Sequence, residues 1–128
     1  MRNYLKTVAG ITLSMGMTSV AIANVNIGSL QGYTGPLESL IGDIHDGTML
    51  AASEANASGA YIHGTINVPQ GDSKCIDADA AISEAERLIH DENVIALVGP
   101  NCSGVTTAVI NNVTAPLGVV NISPSATS

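Results

Sequence analysis

Basic residues are nearly missing from this chain of 128 residues: four lysines and arginines stand against eleven aspartates and glutamates. Two of the four, Arg2 and Lys6, fall close to the N-terminus, leaving only Lys74 and Arg87 beyond it. No basic patch remains to replace the counterions of a phosphate backbone, so nucleic acid drops out as a partner. The two cysteines form no Cys-x-x-Cys pair and the three histidines do not cluster, which leaves a zinc site without support. No other metal and no cofactor is expected. Neither Gly-x-Gly-x-x-Gly nor an acidic cluster follows the first apolar segment, where Leu30-Gln31-Gly32-Tyr33 stands. That argues against a Rossmann-like nucleotide-binding module or a receiver. Internal repeats and low-complexity tracts are also missing.

What is present begins with a leader. Arg2 and Lys6 precede an uncharged run from Val8 to Val20, and Ala21-Ile22-Ala23 supplies an A-x-A cleavage site. The run is shorter than the roughly 20 residues a spanning helix needs. Residues 1–23 therefore read as a secretory signal peptide and residues 24–128 as the exported domain. In an oxidising compartment Cys75 and Cys102 favour a disulfide over a metal or catalytic role.

The exported segment alternates strand and helix patterns. Asn24 to Leu30 alternates polar and apolar residues as a strand, and Gln31 to Pro36 is dense in turn formers. Leu37, Leu40, Ile41, Ile44, Thr48, Ala51, Ala52 and Ala55 mark a helix over about 39–56; Gly47 within it points to close packing on a sheet. Ala60 to Val68 reads as a second strand carrying His63, and Pro69 to Cys75 as loop. A second helix is expected over about 78–90, with Asp77 as N-cap and Arg87 and His90 at its negative end. Val94 to Val98 is a third strand, a helix runs from Ser103 to about Thr114, Pro116-Leu117-Gly118 breaks the chain, and Val119 to Ile122 is a fourth strand. This alternation predicts an α/β fold with a doubly wound parallel sheet.

One stretch organises the rest. The apolar run ending at Val98 is followed by Gly99-Pro100-Asn101-Cys102-Ser103-Gly104 and a helix, with Ser103 a good N-cap. A strand that stops where a helix starts aims free N–H groups and the positive dipole end at one point, a seat for a carboxylate or phosphate. Ser123-Pro124-Ser125-Ala126-Thr127-Ser128 leaves the fourth strand at the same sheet edge, where open α/β sheets bind ligands. These two loops suit a small zwitterion or anion. The chain stops in the middle of the second, which reads as a truncated sequence.

At this point the chain resembles the leucine/isoleucine/valine-binding protein family, the periplasmic solute-binding components of ABC transporters. Gly28-Ser29-Leu30…Thr34-Gly35-Pro36, Gly47-x-x-Leu50-Ala51…Asn56-Ala57-x-Gly59, Cys75, Gly99…Cys102-Ser103 and Ile122-Ser123-Pro124-Ser125-Ala126-Thr127 stand in the family's order. The resemblance covers the exported segment but only the first part of such proteins. It implies a partial N-terminal lobe of a two-lobed type I periplasmic binding protein, which traps an amino acid of the branched-chain type, or a related amide, and hands it to a membrane permease. It further implies a Cys75–Cys102 disulfide. The matching family positions imply that the Ser103 hydroxyl and amide and the Thr127 amide take the ligand carboxylate, and that the Ser125 carbonyl and Thr127 hydroxyl take its ammonium. Cys102, Asn101 and Ala126, in the same two loops, complete the expected ligand-binding set. Asn101 stands where branched-chain binders carry an apolar residue against the ligand side chain, which leaves room for a polar amino acid, an amide or urea.

A non-enzymatic binding module is thus the leading expectation. The alternative is a thiol enzyme using Cys102 at a helix N-terminus, but His45, His63 and His90 sit in other elements and offer no neighbouring base.

Overall fold

The computed structural model describes residues 23–127. The segment read as a signal peptide lies, Ala23 apart, outside the described residues. Five strands form one parallel sheet: β1 (Val25–Gln31), β2 (Ile66–Asn67), β3 (Gln70–Asp72), β4 (Val94–Val98) and β5 (Val120–Ile122). β1 is central. It pairs with both β2 and β3 along one side and with β4 on the other, and β4 pairs with β5. Helices α1 (Glu38–Ala57), α2 (Ala78–His90) and α3 (Ser103–Val109) make the crossovers. Among the described residues no helix is long and apolar enough to cross a membrane.

Burial follows from where the helices lie. Leu30, Leu97 and Val94 from the sheet pack with Ala81, Ala85 and Leu88 of α2 and Val105 and Val109 of α3 into one apolar core. A Cβ on Gly28 would meet Leu97, Val94 and Leu88, so residue 28 lets α2 sit tightly on that face. The neighbouring Ile27 points the other way, as strand geometry requires, and lines a cavity of about 530 Å³ with Ile44, Ala51, Ala52 and Ala55 of α1. Gly47 does not mark close packing: it is exposed, and a Cβ there would meet nothing within 4 Å. The small side chains of α1 leave space against the sheet instead of filling it.

The strand expected over Ala60–Val68 is mostly irregular, with a turn at Ile62 and His63. Only Ile66 and Asn67 pair, opposite Val25 and Asn26. Pro69 has no N–H to donate and interrupts the ladder, though its carbonyl still accepts from Ser29 N at 2.8 Å. Pairing resumes at Gln70–Asp72 against Ser29–Gln31, in a stretch whose composition reads as loop.

Helix α2 falls where its periodicity places it, and the Asp77 side chain accepts from Ala80 N. The third helix outruns its expected end. After Val109 the chain widens into a π turn, Ile110–Thr114, and a short helix α4 (Ala115–Leu117) holds Pro116 within it. The Ala115 N–H reaches back to the Ile110 carbonyl, one residue further than in an α-helix. That wider turn directly before Pro116 accommodates a ring that an unbroken α-helix rejects. Gly118, at φ 68°, ends the helix in the left-handed region.

Candidate functional site

The carboxyl ends of β1, β3, β4 and β5 lie side by side because the strands are parallel, so the loops that leave them share one edge. Each loop is tied to another by bonds that bridge long stretches of chain. The disulfide Cys75–Cys102 joins the β3–α2 and β4–α3 loops across a Cα–Cα distance of 5.3 Å. The Gly32 amide donates to Asn101 Oδ1 at 2.9 Å in a buried setting. The Pro100 carbonyl accepts from Thr106 Oγ1 at 3.0 Å and also from Ser123 Oγ. Ser125 Oγ donates to the Asn101 carbonyl at 2.7 Å, and the Thr127 amide to Ser103 Oγ at 3.1 Å.

Ser103 is not the N-cap. That position belongs to Cys102, extended at φ −102° and ψ 127°, without a side-chain cap bond. Ser103 is the first helical residue, and its hydroxyl accepts the Thr127 amide across the sheet edge. The first bond within the helix comes from Thr106 N to the Cys102 carbonyl, so the amides of Ser103, Gly104 and Val105 precede it. Gly104 is exposed and Ser103 half-buried. The two loops expected to act together do meet, at a serine hydroxyl and a backbone amide.

The remaining expected residues are placed differently. Asn101 is 5% exposed with its carboxamide oxygen turned onto Gly32. The Ala126 amide is held by Ser123 Oγ at 2.9 Å. Cys102 is disulfide-bonded, and no described cysteine is free; this removes the nucleophile that a thiol enzyme at Cys102 requires. His63 lies in the turn region, exposed, its ring edge-on to Tyr61 at 5.8 Å.

Two constellations carried no signal in the sequence. Tyr33 OH lies 3.0 Å from Ser29 Oγ and 3.2 Å from His45 Nδ1, with the Tyr33 and His45 rings edge-to-face at 5.7 Å. Burial pushes the Tyr33 phenol above its ordinary value; the Ser29 hydrogen bond opposes this and the Asp72 carboxylate adds to it. Asp72 itself clasps the first loop, accepting from Thr34 N at 3.2 Å, Lys74 N at 3.0 Å and Thr34 Oγ1. Desolvation works to raise its pKa, but the Thr34 hydroxyl and the amides of Lys74, Thr34 and Tyr33 outweigh it and hold the carboxyl below the usual value.

A depressed folded pKa means the clasp is at full strength above the unfolded value and is lost as pH falls through the folded one. The Thr34 and Lys74 amide resonances should therefore titrate with a midpoint below 3.8, the ordinary value for this carboxyl, and Asp72→Asn should abolish that titration. A midpoint at or above 3.8 would show that desolvation dominates.

Open parallel α/β sheets bind ligands at the carboxyl edge where these loops gather, and residues 24–128 match the family described as periplasmic binding protein. The chain belongs to that family. Among its relatives, the Leu/Ile/Val-binding protein homolog 7 of Brucella abortus is 34% identical over 108 residues, 84% of this chain and 26% of that protein. An amino acid binding protein of Pseudomonas aeruginosa is 31% identical over 114 residues, covering 89% of this chain and 30% of its own length. The crystal structure of the branched-chain amino acid transporter substrate-binding protein LivJ of Streptococcus pneumoniae, in complex with isoleucine, superposes with a TM-score of 0.75 at 34% identity. That match covers 83% of this chain and 30% of LivJ. The chain thus spans about a quarter to a third of the length of these relatives.

Proposed function

We propose that this chain supplies the first-lobe wall of an amino-acid site in an exported solute-binding component of an ABC transporter, with a membrane permease as its downstream partner. The observation that carries the reading is the junction of Ser103 with Thr127 at the start of α3. A ligand carboxylate placed there accepts the Ser103 O–H and N–H and draws the Thr127 amide from the serine oxygen onto itself. The exchange replaces one neutral hydrogen bond by charge-assisted ones, which are roughly twice as strong. The Ser125 carbonyl and Thr127 hydroxyl then face the ammonium group. Family membership and the isoleucine complex of LivJ support an α-amino acid as the ligand class. Periplasmic placement rests on the same membership and on the leader in the sequence.

Titration of the ¹⁵N-labelled chain with L-isoleucine and with its amide tests this reading. Binding should move the Ser103, Gly104 and Thr127 amide resonances. Ser103→Ala keeps the backbone amides but removes one charge-assisted donor, a loss of roughly 1.5–3 kcal/mol. Affinity for the acid should fall by about one to two orders of magnitude. Thr127→Val should weaken both forms through the ammonium, whereas the amide form, with only a neutral carbonyl to accept the Ser103 O–H, should lose less on Ser103→Ala than the acid does. Wild-type affinity for the acid in Ser103→Ala would remove the site from this edge.

A further inference from the structure

We propose that Asn101 is a positioning residue, whose carboxamide oxygen and carbonyl lock the first and last loops of this edge against the loop that carries Ser103. The proposal rests on the amino-acid site described above for its functional consequence, but on separate atoms for its mechanism. Asn101 makes two ties of opposite direction along the sheet edge. Its Oδ1 receives the Gly32 amide at 2.9 Å, holding the β1–α1 loop. Its backbone carbonyl receives Ser125 Oγ at 2.7 Å, holding the segment after β5.

The residue that makes these ties is itself clamped. On one side the Pro100 carbonyl is gripped by Thr106 and Ser123 hydroxyls; on the other, Cys102 is bonded to Cys75. Gly32 sits in the angle between them: a Cβ there would lie 3.3 Å from Cys75 Cβ and 3.5 Å from Asn101 Oδ1. Both Gly32 and Asn101 are buried, so a Gly32 amide stripped of its acceptor has no ready route to water. An apolar residue at 101 would leave that donor unpaired. Asparagine is therefore needed here as an acceptor for backbone, and the oxygen it uses is turned toward Gly32 instead of toward a bound molecule. Through Ser125 the same residue sets where the neighbouring Thr127 amide meets Ser103.

Amide hydrogen exchange on the ligand-free chain, followed by L-isoleucine titration, tests the assignment with three variants. Asn101→Leu should speed exchange at Gly32 by roughly tenfold or more, shift the Ser103 and Thr127 resonances, and weaken L-isoleucine binding by about tenfold. Asn101→Asp keeps an acceptor of the same shape and should preserve Gly32 protection. Ser125→Ala should leave Gly32 protected and speed exchange at Ala126 and Thr127. Unchanged Gly32 exchange in Asn101→Leu, or lost protection in Asn101→Asp, overturns the proposal. Should Asn101→Leu not fold, the other two variants decide: Gly32 must stay protected in both, and the Ala126 and Thr127 amides must loosen in Ser125→Ala. Whether the wild-type chain binds L-isoleucine bears on the amino-acid site, while the exchange pattern judges Asn101 independently of it.

Discussion

Gly99→Ala should abolish the cooperative thermal transition. Gly99 lies at φ 112°, where an L side chain is strained, and a Cβ there would stand 1.9 Å from the Leu30 carbonyl oxygen and 2.8 Å from its carbon. The obstacle is backbone of the central strand β1, which cannot swing aside as the end of a side chain can. Relief would have to come from parting β1 and β4 where Ser29 is paired with Val98. It would also loosen the Gly99 amide from the Ile122 carbonyl, 2.7 Å away on β5. Substitutions that combine backbone strain with a core clash exceed about 4 kcal/mol, comparable to the whole stability of a small domain at about 5–15 kcal/mol. Near-ultraviolet circular dichroism and proton shift dispersion measure the outcome. A melting temperature within a few degrees of wild type would show that the sheet absorbs the displacement.

Replacing both cysteines by serine should have the second-largest effect. The bridge closes a loop with a sequence separation of 27, and cross-linking a loop of this size stabilises by about 3–4 kcal/mol in the chain-entropy model. For a domain of this size that corresponds to a fall in Tm of about 12–30 °C. The loss should concentrate at the sheet edge. Lys74 and Cys75 are held at φ 51° and 66°, a region in which non-glycine residues are uncommon, and the bond to Cys102 helps to keep them there. Denaturant titration with and without reductant, read beside a thiol count on the unfolded protein, checks both points. A free thiol in the unreduced chain, or a Cys75→Ser/Cys102→Ser variant as stable as wild type, would contradict the bridge and its role.

The parts of this fold that were legible in the sequence are those that local chemistry decides. Helix α2 combines a clear apolar stripe with an aspartate at its start, and both bounds are where the pattern puts them. Strand β4 is a short β-branched run between turn formers. The misreadings share a cause, which is tertiary context overriding a local signal. Pairing with β1 makes Gln70–Asp72 a strand despite its loop-like composition. A π turn carries a helix across Pro116. Backbone angles at Cys102, not the identity of Ser103, decide which residue caps α3. The two candidate loops were legible as a pair because parallel strands share a carboxyl edge. The inward turn of Asn101, the Asp72 clasp and the Tyr33–His45 contact were not, since each joins residues that no periodicity relates.

The ties at the sheet edge also set the order in which this molecule can mature. Gly32 and Asn101 are 69 positions apart, Thr34 and Asp72 are 38, and Ser103 and Thr127 are 24. Each closes a long loop, and its entropic cost falls due before the contact stabilises anything. Each depends on its own strand pair: β1 beside β4 for the first, β1 beside β3 for the second and β4 beside β5 for the third. A sheet edge built this way has no peptide-sized precursor: it cannot be excised as a linear epitope, because its parts meet only on the assembled sheet.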